Sequence, residues 1–247
     1  MAGALDGRSV VVTGASSGIG AAVVRALAAE GARLTIGARR TDRLDGLARE
    51  IGAERVAVAR TDMRVEADVV RLIATARERF GGVDALVNNA GLGRRAPVSS
   101  GETELWREML ETNVLGLLIA TREAIQDMER RGVAGHVVHV SSMAGHRVPG
   151  PDSAVYAGTK FAVRAITEGL RQELRARTSS IRVACVSPGY VDTEFAEVFV
   201  GPGGTPQAPR IMQLTAADVA GAIVWILTQP AHVEVHDVLL RPTAQRN

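Results

Sequence analysis

Short β-branched runs alternate with longer stretches of helical apolar spacing along nearly the whole chain, and that alternation restricts its fold more than any other feature. The runs Ser9 to Thr13, Leu34 to Gly37, Val56 to Ala59, Ala85 to Asn88, His136 to Ser141, Arg182 to Ser187 and Val238 to Leu240 predict seven strands. Helical spacing marks Ile19 to Glu30, Ala67 to Phe80, Glu102 to Arg131, Ala154 to Arg177 and Ala217 to Thr228. A βαβα rhythm specifies an α/β fold, a doubly wound parallel sheet with helices on both faces. A closed eight-stranded barrel would need an eighth unit. With 247 residues, 46% of them hydrophobic, one core and one domain over residues 1–247 are expected.

The bulk chemistry excludes several functions. Cys185 is the only cysteine, so the chain can form neither an intrachain disulfide nor a cysteine-based zinc site, and a reducing, cytoplasmic home is expected. The longest apolar stretch, Val114 to Ala120, falls far short of the ~20 residues a membrane span needs. Basic and acidic residues nearly cancel, 29 against 27, and the Arg pairs are scattered without interleaved aromatics, so no nucleic-acid partner is implied. From Gly201 to Arg210 glycines and prolines crowd together, which predicts a loop, either a plain connection or a lid over a cleft.

The first predicted strand runs into Thr13-Gly14-Ala15-Ser16-Ser17-Gly18-Ile19-Gly20 and then a helix. Such a turn presents backbone N–H groups to a diphosphate at a helix N-terminus, and Gly18 and Gly20 lack the Cβ atoms that would hold it away. Where strand two ends, a carboxylate would meet a free ribose 2′-hydroxyl, but the chain has Ala38-Arg39-Arg40. Arg39, supported by Arg40, can pair with a 2′-phosphate, which points to NADP; the plainer alternative is two solvated arginines opening a helix. Asp62 after strand three suits an adenine amino group, and Asn88-Asn89-Ala90-Gly91 puts small residues where a ribose would approach.

The chain holds a single lysine, Lys160, four residues after Tyr156, one of only two tyrosines. Four residues on a helix place both side chains on one face. An ammonium beside a phenol stabilises the phenolate, and a phenol drawn toward pH 7 becomes a competent proton donor and acceptor. Ser142 closes strand five, and Asn113 interrupts the apolar pattern of the helix before it, so four polar groups are expected at one edge of the sheet.

At these residues the chain resembles the short-chain dehydrogenase/reductase family: Thr-Gly-x-x-x-Gly-x-Gly, Asn-Asn-Ala-Gly, Ser and Tyr-x-x-x-Lys occur in order. The resemblance implies a single-domain Rossmann fold in which Tyr156 moves the proton, Ser142 holds the carbonyl, Lys160 binds the nicotinamide ribose and tunes Tyr156, and Asn113 anchors a relay water. It likewise implies cofactor contacts from Gly14, Ser16, Ser17, Gly18, Ile19, Gly20, Met63 beside Asp62, Asn89, Ala90 and Gly91. Pro188, Gly189, Val191 and Thr193 match the segment that cradles the nicotinamide amide.

Gly145-His146-Arg147-Val148, the stretch Thr167 to Arg175, and Arg241-Pro242-Thr243 are similar to the carbonyl-reductase branch grouped with dehydrogenase/reductase member 11 and clavulanate-type aldehyde reductases. That implies NADPH-driven reduction of a small ketone or aldehyde by a homodimer or homotetramer. The alternatives are a reductase of carrier-bound 3-oxoacyl groups and a non-catalytic NADP sensor. Met143, Leu92, Tyr190, Phe195 and Phe199 flank the expected site as candidate pocket residues. His136 and His139, three apart on a strand, face opposite sides and predict no shared metal.

Overall fold

The computed structural model describes residues 3–200 and 211–245. Its centre is a seven-stranded, all-parallel sheet in the order β3-β2-β1-β4-β5-β6-β7. The strands are β1 (Ser9–Thr13), β2 (Arg33–Ala38), β3 (Val56–Arg60), β4 (Ala85–Asn88), β5 (His136–Val140), β6 (Arg182–Pro188) and β7 (Asp237–Leu240). All seven expected runs are strands, with no end shifted by more than one residue.

The helices are α1 (Gly18–Ala29), α2 (Thr41–Ile51), α3 (Glu66–Phe80), α4 (Thr103–Leu110), α5 (Gly116–Arg131), α6 (Ala154–Ala176), α7 (Phe195–Val200) and α8 (Ala216–Leu227). Two departures concern the site. The expected helix over Glu102 to Arg131 is α4 and α5 joined by a π turn at Glu111–Leu115, a widening of the helix common at functional positions. The short α7 was not expected at all. The loop expected from Gly201 to Arg210, with its lid alternative, lies outside the described residues.

Because helices cover both faces, successive residues of one strand enter different cores. Val10 and Val12 of β1 join Leu34, Ile36, Val138, Val140 and Val186 in a core shared with α1 and α8. Val11 joins Leu86, Val137 and Val183 in a core closed by α3 and α5. Removing a fully buried side chain such as Leu34 or Leu72 would cost about 2–5 kcal/mol. At α8 a reciprocal cap sets the start: Thr215 Oγ1 accepts from the Asp218 N–H at 3.2 Å, and Asp218 Oδ2 accepts from the Thr215 N–H at 2.7 Å. The strand order reverses between β1 and β4, which opens a crevice at their carboxyl ends, the binding position in doubly wound sheets.

Candidate active site

At that crevice the turns after β1 and β4 touch backbone to backbone. Gly14 has φ +66°, a left-handed conformation, and a Cβ on it would lie 2.7 Å from the Ala90 Cα. A Cβ on Gly20 would lie 2.3 Å from the Gly14 carbonyl oxygen and 2.6 Å from Asn89 Nδ2. Thr13 Oγ1 accepts from the N–H groups of Asn89 and Ala90 at 3.1 and 3.0 Å, while Asn89 Nδ2 donates to the carbonyls of Thr13 and Gly14 at 3.0 and 3.1 Å. Asn89 is thus a strut beneath the glycine turn. No side chain caps the first turn of α1, whose N-terminus carries the positive end of the helix dipole. An open cradle of bare backbone with free donors suits a diphosphate, so these residues fit a dinucleotide.

Of the two arginines expected here, Arg40 is the one that touches the glycine turn. Arg40 lies across the turn, its Nη2 donating to Ser17 Oγ at 2.7 Å and Ser16 Oγ at 3.2 Å. Arg39 points elsewhere, its Nη1 4.0 Å from Glu108 Oε1. Arg43, not anticipated, joins Arg40 through Glu194, whose carboxylate is 2.6 Å from Arg43 Nη1 and 3.0 Å from Arg40 Nη1. Its signal was its place in the first turn of a helix whose entry was already read as basic. Asp62 is held by Arg64 Nη2 at 2.6 Å, and that hydrogen bond keeps its pKa down at about 2. The backbone of Met63 packs where Gly116 leaves room, a Cβ there falling 2.5 Å from the Met63 carbonyl oxygen.

At the chemical end, Asn113 sits buried in the π turn. Its Oδ1 accepts from the Leu92 N–H at 2.8 Å, and its Nδ2 donates to the Leu92 carbonyl at 2.7 Å and to Thr159 Oγ1 at 3.0 Å. Thr159 donates in turn to the Tyr156 carbonyl at 2.7 Å. Asn113 therefore ties the loop after β4 to the helix of Tyr156 and Lys160, and both its amide protons are committed. Ser142 caps a short 3-10 turn, accepting from the Ala144 N–H at 3.1 Å, and its hydroxyl lies near enough to that of Tyr156 to favour the phenolate. Lys160, buried, donates to the Val140 carbonyl at 2.9 Å. A Cβ on Gly91 would lie 3.2 Å from Lys160 Nζ and 3.4 Å from Asn113 Oδ1, so the expected groups do meet in one place.

Burial sets the electrostatics of both groups. It pushes the Tyr156 phenol up to about 12, with the Ser142 hydroxyl pulling weakly the other way. Burial also lowers Lys160 to about 8. Desolvation disfavours both charged forms.

An aromatic cap covers the phenol. The Tyr156 ring centroid is 5.5 Å from that of Phe195 and 5.9 Å from that of Phe199, the latter edge-on. Both rings belong to α7, and they pack with Leu92, Ala96 and Met109 beside Trp106. Gly93 makes this possible, because a Cβ there would fall 2.6 Å from the Phe199 ring. The segment leading to α7 starts where β6 ends: Pro188 closes the strand, Val191 bridges to Leu214, and Thr193 lies against Gly18, 3.1 Å from where its Cβ would be. Gly189 packs on Arg241 and Gln245 of the tail. Of the other candidate pocket residues, Tyr190 is exposed and Met143 is buried.

The short chain dehydrogenase family model matches residues 8–200 of this chain, which include every element just described from the glycine turn to α7. The chain belongs to the short-chain dehydrogenase family. Dehydrogenase/reductase SDR family member 11 of Bos taurus is 42% identical over 96% of this chain and 97% of its own length. Farnesol dehydrogenase of Aedes aegypti is 38% identical over 97% of this chain and 98% of its own. Among solved structures, the closed form of serine dehydrogenase complexed with NADP+ superposes with a TM-score of 0.90 at 33% identity, covering 97% of this chain and 96% of that one. The chain is thus of an oxidoreductase family acting on CH–OH or carbonyl groups with a nicotinamide cofactor.

Within this family frame, the segment between Ser142 and Tyr156 folds as two 3-10 turns, Met143–Gly145 and Pro151–Ser153. The second is anchored by the Ala96 N–H donating to the Asp152 carbonyl at 3.1 Å, so the segment is tied to the loop after β4. His139 is buried between Thr121 Oγ1 at 3.1 Å and Thr167 Oγ1 at 2.9 Å, and His136 lies at the other end of β5. Among the described residues, no helix is long and apolar enough to cross a membrane.

Proposed function

We propose that this chain, as one catalytic unit over residues 1–247, is an NADP-dependent oxidoreductase that reduces an apolar ketone or aldehyde to an alcohol, reversibly. Ser16, Ser17 and Arg40 would hold the 2′-phosphate, the glycine turn the diphosphate, and the Pro188 to Thr193 segment the nicotinamide end. The cofactor, when bound, supplies the hydride for reduction and receives it in oxidation.

The observation that carries the reading is the buried Tyr156 hydroxyl beneath the aromatic cap, near that of Ser142, with the single lysine buried one helical turn on. Ser142 donates to the carbonyl oxygen of the substrate and orients it. Tyr156, whose phenol stays protonated at neutral pH, delivers its proton to the same oxygen as charge develops there. Lys160 limits the cost of the phenolate left behind. Phe195, Phe199 and Leu92 exclude water and favour an apolar substrate, in keeping with the farnesol in the name of the Aedes aegypti relative.

The test is a panel of apolar ketones and aldehydes followed by NADPH absorbance, with NADH alongside. Substrate-dependent consumption of NADPH, faster than of NADH, is expected. Tight NADPH binding without turnover of any member would overturn the catalytic reading.

A further inference from the structure

The residue just ahead of α7 reaches back to the nucleotide end of the sheet. Glu194 places Oε1 2.6 Å from Arg43 Nη1 and Oε2 3.0 Å from Arg40 Nη1. Arg40 at the same time donates to Ser16 and Ser17 of the glycine turn. A groove of about 370 Å³, lined by Ser16, Arg25, Arg43, Leu47 and Glu50 among others, opens on the Arg43 side of this cluster. A ribose 2′-phosphate would seek the same guanidinium groups, because arginine forks pair with phosphate and carboxylate in the same way. Two anions cannot share these donors without repulsion. Glu194 is half-exposed and held as a carboxylate by its two arginines.

The next residue is Phe195, and Phe195 and Phe199 stack on Tyr156. At its far end α7 is tied down separately, by the Arg95 N–H donating to the Phe199 carbonyl at 3.0 Å and by Arg94 Nη1 donating to the Val198 carbonyl. The near end is held to the nucleotide side by this carboxylate and by Thr193, which packs on Gly18 and accepts from the Phe195 N–H at 3.3 Å. We propose that Glu194 is a specificity-determining residue: its carboxylate competes with the 2′-phosphate for Arg40 and Arg43, and its displacement loosens the α7 cap over Tyr156. The proposal rests on the NADP reading above.

Adenosine 2′,5′-bisphosphate carries the 2′-phosphate without a nicotinamide, and adenosine 5′-monophosphate lacks both, so the pair isolates the phosphate. Calorimetric binding of each is measured to the wild type and to Glu194→Gln, with amide hydrogen exchange of residues 195–200 followed in all four complexes. The variant should bind the bisphosphate about three- to tenfold more tightly and the monophosphate within about twofold of wild type, as expected when one competing charge is removed. In the wild type, α7 amides should exchange faster with the bisphosphate than with the monophosphate, and in the variant equally fast with both. Unchanged or weaker bisphosphate binding in the variant, an equal gain for the monophosphate, or no ligand-dependent exchange in α7 overturns the proposal. A wild type that binds both nucleotides equally overturns the NADP reading along with it.

Discussion

Lys160 directs its ammonium to the carbonyl oxygen of Val140, 2.9 Å away on the strand that delivers Ser142. The only lysine of the chain is thereby fixed to the backbone of the catalytic strand, and its charge is set by burial. Its pKa is lowered to about 8, and that of Tyr156 is raised to about 12.

This pair of values predicts the pH dependence of reduction. The folded pKa of Lys160 lies below its ordinary value, so the ammonium is present below about pH 8 and lost above it. Tyr156 remains a proton donor throughout that range. For the wild type, kcat/KM for carbonyl reduction should hold level near neutrality and fall above about pH 8. A fall centred near pH 7 would instead mark a phenol tuned as the sequence suggested.

Lysine's compact head matters at this position. Gly91 leaves little space beside Nζ, and a planar guanidinium would need more. Lys160→Arg should therefore lose about 10²–10⁴-fold in kcat/KM although it keeps a positive charge, the range associated with proton-transfer groups. Steady-state kinetics with circular dichroism as a folding control checks this, and near-normal activity would contradict it.

Cofactor preference should follow Arg40 more than Arg39. Arg40 alone bonds Ser16 and Ser17, whereas Arg39 faces Glu108. Arg40→Ala removes a charge-assisted partner worth about 1.5–3 kcal/mol, so NADPH affinity should drop roughly tenfold or more with little change for NADH. Arg39→Ala should have the smaller effect. Fluorescence titration of both nucleotides against both variants decides between the two arginines.

Stability should decline in mild acid because two histidines are buried in strand β5. His136 and His139 are each lowered to about 3, chiefly by burial. Below the ordinary histidine value of 6.5 the unfolded chain binds protons that the folded chain refuses, so stability is full above that pH and lost as pH falls toward 3. Each histidine contributes a slope of about 1.4 kcal/mol per pH unit within that window. His136, whose ring nitrogens have no hydrogen-bond partner among the described residues, can be replaced without orphaning another group there. In urea unfolding between about pH 5.5 and 6.5, where the lowered carboxylates contribute little, His136→Val should lower the slope, to which the lowered His146 also adds. An unchanged slope would rule out His136 as a source.

Strands were legible in the sequence because a sheet covered on both faces demands continuous β-branched runs, and Val10 to Val12 shows the demand at its plainest. Tyr156 and Lys160 were legible because their spacing is local. Three features were not. The π turn at Asn113 lies inside one continuous helical pattern, and the partners of its amide, Leu92 and Thr159, are distant in the chain. The pairing of Glu194 with Arg40 and Arg43 spans some 150 residues of chain and has no local signal. The opposite shifts of Tyr156 and Lys160 arise from depth of burial, whereas the residues alone suggested only their mutual attraction.

The central claim is that the Tyr156 hydroxyl carries the proton. Tyr156→Phe keeps the ring that packs on Phe195 and Phe199 and removes only the oxygen. Single-turnover oxidation of NADPH by this variant, with an apolar ketone that the wild type reduces, should be slower by about 10²-fold or more while NADPH binds as in the wild type. Turnover at the wild-type rate would contradict the account.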